Sequence, residues 1–117
     1  MYEIELYATP SGREPVGEYL KDLAKKGAHQ DIAQIKDYQK RLKKYGMAVN
    51  QIYPKTIRKV DGDVWELRPG KHRVFFFYFT GEKFVLLHAY RKFGQKAPPH
   101  EIDKAMQEMK DHKERAR

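Results

Sequence analysis

The sequence predicts an α+β domain in which helices lie on one face of a mainly antiparallel sheet. Residues 2–8 alternate apolar and polar side chains, as a half-buried strand does. Residues 14–45 repeat apolar side chains at helical spacing, and residues 55–92 are strand-like and divided by turn residues. Helices grouped ahead of a run of antiparallel strands are typical of this class. The 117 residues suffice for one domain, 1–117, with a modest core.

The first half of the chain predicts one strand and two helices. A turn at TPSGR leads to a helix that opens at Glu14–Pro15 and stops at Lys25–Gly27, because proline is tolerated in a first turn and glycine ends a last one. A second helix is expected from about Gln30 to Tyr45, where Gly46 ends it. Residues 47–54 are expected to form a loop.

The second half predicts strands, turns and a final helix. Asp61–Gly62 turns a short strand, 55–60, into the next one, and Pro69–Gly70 fits the centre of a second turn that sets Glu66 opposite Arg73. Thr80–Gly81 or Gly81–Glu82 makes the last hairpin turn. Both choices place each side chain on the same face of the sheet, because they differ by two residues in register. The final helix opens at Pro98–Glu101, and its charged tail, 110–117, is expected to fray.

Strict alternation along these strands divides their side chains between two faces. One face is expected to be the apolar one: Trp65, Leu67, Val74, Phe76, Tyr78, Val85, Leu87 and Ala89. The other face is expected to hold most of the polar side chains: Glu66, Arg68, Arg73, Phe75, Phe77, Leu86, His88, Tyr90 and Lys92.

Composition excludes several classes of protein. The net charge of +8 points to a polyanionic partner such as nucleic acid. The chain has no cysteine, and its five histidines show no helical metal-ligand spacing, so neither a disulfide nor a structural zinc is expected, and no cofactor is predicted. No apolar run could span a bilayer and no secretory signal opens the chain, so a cytoplasmic location away from membranes is expected.

The polar face carries the side-chain types that cut RNA without a metal. Glu66 could accept the proton of the 2′-hydroxyl, Arg73 and Arg68 could clamp the phosphate, and His88 could protonate the leaving oxygen. The alternative for Glu66 is a cross-strand ion pair with Arg73. The alternative for His88 is a half-buried ring packed beside Phe75.

Further residues around this face are candidates for binding RNA. Aromatic rings can stack on bases and cations can hold phosphates, although aromatic residues in strands are usually core. The predicted RNA-binding residues are Tyr90, Arg91, Lys71, Lys96 and Phe75, and Lys92 is placed with the catalytic set.

Three motifs carry a resemblance to a known family. The segments WELRPGKHRVFFFY, LLHAYRK and APPHEIDKA are similar to those of the RelE/HigB superfamily of toxins from type II toxin–antitoxin systems. The branch that they most resemble is the phage-derived HigB-like one, and the resemblance covers essentially the whole chain. It implies a RelE/ParE-like fold with two N-terminal helices and a C-terminal helix on the sheet. It further implies a ribosome-dependent endoribonuclease, or mRNA interferase, and a cognate antitoxin, often a helix-turn-helix protein of the HigA type.

The resemblance also assigns site residues, with one departure. The arginine at the start of the second hairpin strand falls on Arg73, that of the "LR" pair on Arg68, and the basic residue ending the last strand on Lys92 or Arg91. Better-known relatives carry lysines on the strand before "LR", one of them a proposed base. This chain has Val64 and Glu66 there, so a lysine mechanism does not transfer.

Two other functions fit the same sequence. A ParE-like toxin that inhibits gyrase would need no acid–base set. A plain RNA-binding module would use the aromatic face and arrest nothing.

Overall fold

The computed structural model describes residues 1–116, and a five-stranded mixed sheet forms its centre. The sheet has the order β1-β5-β4-β3-β2, in which β1 runs parallel to β5 and the other neighbours are antiparallel. The prediction of an α+β class with a mainly antiparallel sheet is therefore confirmed. The strands are β1 (Glu3–Leu6), β2 (Ile57–Asp61), β3 (Val64–Leu67), β4 (His72–Phe79) and β5 (Lys83–Arg91).

The helices differ from the prediction in number and placement. They are α1 (Pro15–Lys25), α2 (His29–Tyr45), α3 (Val49–Ile52) and α4 (Pro99–Arg115), with a 3-10 turn at Gly46–Ala48. The short helix α3 forms within the expected loop 47–54, because the side chain of Val49 is fully buried in the core. Helices α1 and α2 pack on one face of the sheet and α4 on the other, so the expectation of helices on a single face was wrong.

Two hydrophobic cores explain the helices on both faces. The α4 helix carries an apolar stripe of its own, which it buries against the second face of the sheet. Because both faces of the sheet are then covered, its strands do not alternate cleanly between polar and apolar residues. The buried residues of the core under α1 and α2 are Val16, Ile35, Leu42, Val49, Ile57, Leu67, Val74, Phe76, Phe84 and Leu86. Those of the core under α4 are Tyr7, Val64, Phe75, Phe77, Val85, Leu87, Tyr90, Ala105 and Met109.

A β-bulge in β5 corrects the predicted facing of several side chains. Val74 pairs with Ala89 and Phe76 with Leu86, so Leu87 and His88 together lie opposite Phe75. Val85 and Leu87 consequently face α4, and Leu86 faces α1 and α2, opposite to the prediction. After the bulge the alternation again matches the prediction. His88 and Tyr90 face α4, and Ala89 faces α1 and α2, as expected.

The connection between β3 and β4 is longer than the predicted turn. Trp65 pairs with Phe76 and Leu67 with Val74, so Glu66 lies opposite Phe75 and not opposite Arg73. The connecting segment is held by two backbone bonds, in which Arg68 N–H donates to Thr56 O over 2.9 Å and His72 N–H donates to Pro69 O over 3.0 Å. The register moves by two residues, and this leaves Glu66 and Arg73 on their predicted face.

The charged end of α4 remains helical through Arg115. The Tyr7 hydroxyl donates to Asp111 Oδ2 over 2.7 Å, and Arg115 Nη2 donates to the same carboxylate over 2.7 Å. Fraying of the tail stays a prediction, and Arg117 lies outside the described residues. Among residues 1–116, no helix is both long enough and apolar enough to cross a bilayer.

Candidate functional site

A narrow cleft on the α4 side of the sheet collects most of the predicted site residues. It lies where β3, β4 and β5 approach the segment between β5 and α4. Its floor comes from the strands, and its outer wall comes from the segment after β5. The lining residues are Glu66, Arg68, Arg73, Tyr90, Lys92, Gln95, Lys96 and Ala97.

Glu66 lies at the centre of the cleft among cations. It is 5% exposed, and its Oε2 lies 3.5 Å from Arg68 Nε and 3.7 Å from Arg73 Nε. Both distances exceed the 2.7–2.9 Å of a tight charge-assisted hydrogen bond, so neither arginine locks the carboxylate. Burial raises the pKa of Glu66, and the nearby charges of Arg73 and Arg68 only partly oppose this. The result is a carboxylate that takes up a proton more readily than an exposed one.

Arg68 places a positive charge beside Glu66. Its Nε is buried and has no hydrogen-bond partner among the described residues, although Glu66 Oε2 lies nearby. The Nε atom is closed to solvent and lies 3.5 Å from Glu66 Oε2, so it acts on the carboxylate by its charge and not through a geometrically good hydrogen bond.

Arg73 is held in place by the turn before β4. Its Nη1 donates to Gly70 O and to His72 O, each over 2.8 Å, and the residue is 6% exposed. Gly70 has φ +59°, a left-handed conformation that favours glycine over any residue with a Cβ. Burial lowers the pKa of Arg73, but a guanidinium keeps its charge at neutral pH. Arg73 is thus an oriented cation facing the carboxylate of Glu66.

Tyr90 borders the cleft beside Arg73. The two residues are partners across β4 and β5, and the Tyr90 ring lies 5.3 Å from that of Phe75. Burial and the charge of Glu66 raise the pKa of Tyr90 to about 12, so its hydroxyl stays protonated at neutral pH. Phe75 itself is fully buried, so its ring supports Tyr90 and does not reach the surface. The prediction that Phe75 stacks on an RNA base is therefore wrong.

The remaining predicted cations divide between two sides of the molecule. Lys92 and Lys96 line the cleft. Lys71 is exposed in the turn before β4, and its carbonyl accepts the N–H of Lys92 over 2.8 Å. Arg91 projects to the α1 and α2 side, where its charge acts on Asp31 and its guanidinium lies 5.7 Å from the exposed Phe93 ring. Arg91 therefore does not join the cleft.

His88 shares the face of Glu66 but not the cleft. Its Nδ1 lies 2.5 Å from Glu108 Oε1, and its Nε2 lies 3.0 Å from Glu101 Oε1. Its ring packs edge-on against Phe75, with the ring centroids 5.1 Å apart. Packing beside Phe75 was the predicted alternative to a catalytic role for this histidine. Both nitrogens are therefore occupied by α4 carboxylates, and the histidine fastens that helix to the sheet.

The sequence contained a clue to this arrangement. Glu101 and Glu108 are seven residues apart and flank Ala105 on the apolar stripe of α4. Acidic side chains on a buried stripe need a partner, and a histidine on the covered face can supply one. Arg58, the cross-strand partner of Glu66, was also missed, although alternation through the β2–β3 hairpin places it on the same face.

Among the described residues, no group of three or more histidine, aspartate or glutamate side chains is placed to hold a metal ion. Two arginines and one carboxylate are the groups that anion binding and proton exchange require, and the free space that they line is about 10 Å³.

Comparison with known families adds an independent finding. A family described as "Phage derived protein Gp49-like (DUF891)" matches residues 18–110. This range contains every residue that lines the cleft. It also includes both carboxylates that bind His88. No curated protein matches the chain.

Proposed function

This chain belongs to the Gp49-like family of phage-derived proteins, a RelE-like toxin family of toxin–antitoxin systems, and we propose that it is a toxin that cleaves mRNA on the ribosome. The observation that carries the proposal is the buried Glu66 carboxylate between the guanidinium groups of Arg68 and Arg73. In this proposal the chain is a metal-independent endoribonuclease of the HigB-like branch.

The first step is removal of a proton from a ribose 2′-hydroxyl. Glu66 accepts that proton, since burial raises its pKa toward neutrality and makes the carboxylate a stronger base. The 2′-oxygen then attacks the adjacent phosphorus, and the bond from phosphorus to the 5′-oxygen breaks. The products are a 2′,3′-cyclic phosphate and a 5′-hydroxyl.

The second requirement is stabilisation of charge on the phosphate. Arg73 is fixed by two backbone carbonyls, so its guanidinium is oriented before RNA arrives. Arg68 and Lys92 line the same cleft and add two more positive charges. Charge-assisted hydrogen bonds of this kind are among the strongest that a protein makes to phosphate.

The third requirement is a proton for the leaving 5′-oxygen. His88 was the sequence-based choice, but its two nitrogens are bound to α4. Tyr90 lines the cleft as the cross-strand neighbour of Arg73, and its hydroxyl keeps its proton at neutral pH. We assign the donor role to Tyr90, whose proton can pass to an alkoxide that is a much stronger base than a phenolate.

The partners follow from the family. A toxin of this kind pairs with an antitoxin, and we propose a helix-turn-helix protein of the HigA type that keeps the cleft from mRNA. The net charge of +8 suits a site of action surrounded by ribosomal RNA.

The test is to induce the chain in bacteria and to map new 5′ ends on mRNA by primer extension. The purified chain is then added to programmed ribosomes with and without a chelator that binds transition metals and spares the magnesium that ribosomes need. We expect new 5′ ends in both settings, and we expect Arg73→Ala to abolish them. Lys21→Ala serves as the matched control, because Lys21 is an exposed cation on α1.

Two results would contradict the proposal. Growth arrest without new mRNA ends, together with trapped gyrase–DNA complexes, would assign the chain to the gyrase-inhibiting toxins. Normal growth with RNA binding alone would make it a binding module.

A further inference from the structure

A second cavity opens beside the cleft, between β2 and the start of α4. Its volume is about 180 Å³. It shares Glu66, Lys96 and Ala97 with the cleft, so the two spaces are neighbours. Its other wall is formed by residues that the proposed reaction does not use.

The walls of this β2–α4 cavity combine apolar and cationic groups. Val60 and Ile102 are partly buried and pack on the α4-side core, and Ala97 lies beside them. Arg58 and Lys96 are exposed and stand at the rim. A nucleotide joins a flat base with an apolar face to an anionic phosphate, and single-stranded RNA is read through such splayed bases.

The register places the cavity one strand away from the proposed cutting site. Arg58 lies directly opposite Glu66 in the β2–β3 pair, and such partners stand about 4.5–5.5 Å apart. The positive charge of Arg58 is close enough to Glu66 to oppose the rise of its pKa. A strand of RNA with its scissile phosphate at the cleft would therefore place the adjoining nucleotide at the cavity.

We propose that the β2–α4 cavity binds the base of the nucleotide next to the scissile phosphate and thereby sets the base preference of cleavage. This inference rests on the proposed function. Val60, Ala97 and Ile102 contact the base, and Arg58 and Lys96 hold the flanking phosphate. A cavity used only for phosphate would gain nothing from its apolar floor, and one used only for an apolar ligand would gain nothing from the cations at its rim.

The first test measures binding without cleavage. The methyl groups of Val60, Ala97 and Ile102 are observed by NMR while the intact chain is titrated with each of the four ribonucleoside 3′-monophosphates and, separately, with inorganic phosphate. We expect the nucleotides to shift these methyl signals, with a stronger response to one or two bases, and phosphate to leave them in place. Nucleotides that act only as phosphate does, or that shift no signal at millimolar concentration, would overturn the inference.

The second test measures cleavage by variants. Ile102→Phe fills the cavity from the wall away from the cleft, and Met106→Phe, one turn further along α4, is the matched control. Arg58→Ala removes the rim cation at an exposed position where the fold is not at risk. For both cavity variants we expect at least a tenfold loss of cutting at preferred sites and a changed distribution of bases at the cut. The control should keep the parent pattern, and thermal melting checks folding.

The two tests separate the two proposals. An unchanged base distribution and rate in folded Ile102→Phe and Arg58→Ala would overturn the cavity proposal and leave the nuclease intact. If the parent chain cuts no RNA, the proposed function fails, and the nucleotide titration still decides whether the cavity binds a base.

Discussion

Replacing Glu66 by glutamine should separate catalysis from folding. The substitution keeps the size of the side chain and removes both its charge and its capacity to accept a proton. General-base catalysis contributes about 10²–10⁴-fold to rate, so cleavage should fall by that factor. The effect on stability depends on whether the surroundings favour or disfavour the carboxylate in the folded chain.

The electrostatics of the cleft give the sign of the stability change. Each arginine nitrogen, 3.5 and 3.7 Å from Glu66 Oε2, attracts the carboxylate by about 4–5 kcal/mol before the loss of hydration is counted, at an effective dielectric constant of about 20. Burial raises the pKa of Glu66 in spite of these attractions, so the loss of hydration outweighs them and the folded chain favours the protonated acid. An acid whose pKa is raised on folding binds its proton more tightly in the native state. Its ionised form therefore lowers stability, and stability rises as the pH falls through the folded pKa.

Glu66→Gln should consequently leave the free energy of unfolding within about 1 kcal/mol of the parent value, or raise it, which corresponds to a melting shift of under about 5 °C. Cleavage of programmed ribosomes and thermal melting are measured on the same preparation at pH 7. The reasoning is refuted if the variant cuts at near-normal rate, or if it melts more than 10 °C lower. The second outcome would mean that Glu66 acts chiefly as a structural ion-pair partner of Arg73.

Four further changes test the rest of the site. Tyr90→Phe should slow cleavage about 10²-fold with little change in melting, and equal activity in single-turnover assays would exclude Tyr90 as proton donor. His88→Ala leaves Glu108 buried without its partner and should cost about 3 kcal/mol in denaturant unfolding while activity survives at low temperature; loss of activity in the folded variant would return His88 to the catalytic set. Gly70→Ala keeps the carbonyl that Arg73 binds but forces a side chain into positive φ, so it should destabilise by about 1–2 kcal/mol. The strained turn should also hold Arg73 less well and weaken RNA affinity in a filter-binding assay; normal RNA affinity would show that the geometry of this turn is not needed. The cleavage rate should rise with pH as Glu66 loses its proton, at a pH above the ordinary glutamate pKa of about 4.3. This rise should be absent in Glu66→Gln; if it persists, it reports the titration of another group.

Alternation predicted the side of the sheet for the residues that matter most. Glu66, Arg73 and Tyr90 all lie on the α4 face, because a register shift of two residues preserves facing and the β5 bulge restores the phase before Tyr90. Turn chemistry located the hairpins, since Pro69–Gly70 and Gly81 do fall in connections between strands.

Other features lay beyond what local patterns encode. Strict alternation cannot reveal a bulge, and the extra residue at Leu87–His88 reversed the facing of Val85, Leu86 and Leu87. The all-apolar run 74–77 is equally compatible with one covered face or two, so the side on which α4 packs could not be chosen. The occupation of His88 by α4 carboxylates is a tertiary contact, which only the packing of that helix creates.

The presence of Glu66 favours chemistry over simple binding at this cleft. A site that only held phosphate would be stronger without a carboxylate, which repels an anion about 4 Å away by about 4 kcal/mol at an effective dielectric constant of about 20. In the proposed reaction this repulsion is relieved as the bond forms. Glu66 becomes neutral when it takes the 2′-hydroxyl proton, and at that moment the phosphate gains negative charge. The charges of Arg68 and Arg73 are no longer partly neutralised by the carboxylate, so they interact more strongly with the phosphate. If the proposed reaction is correct, the cleft binds its transition state more tightly than its ground state, which is the condition for catalysis.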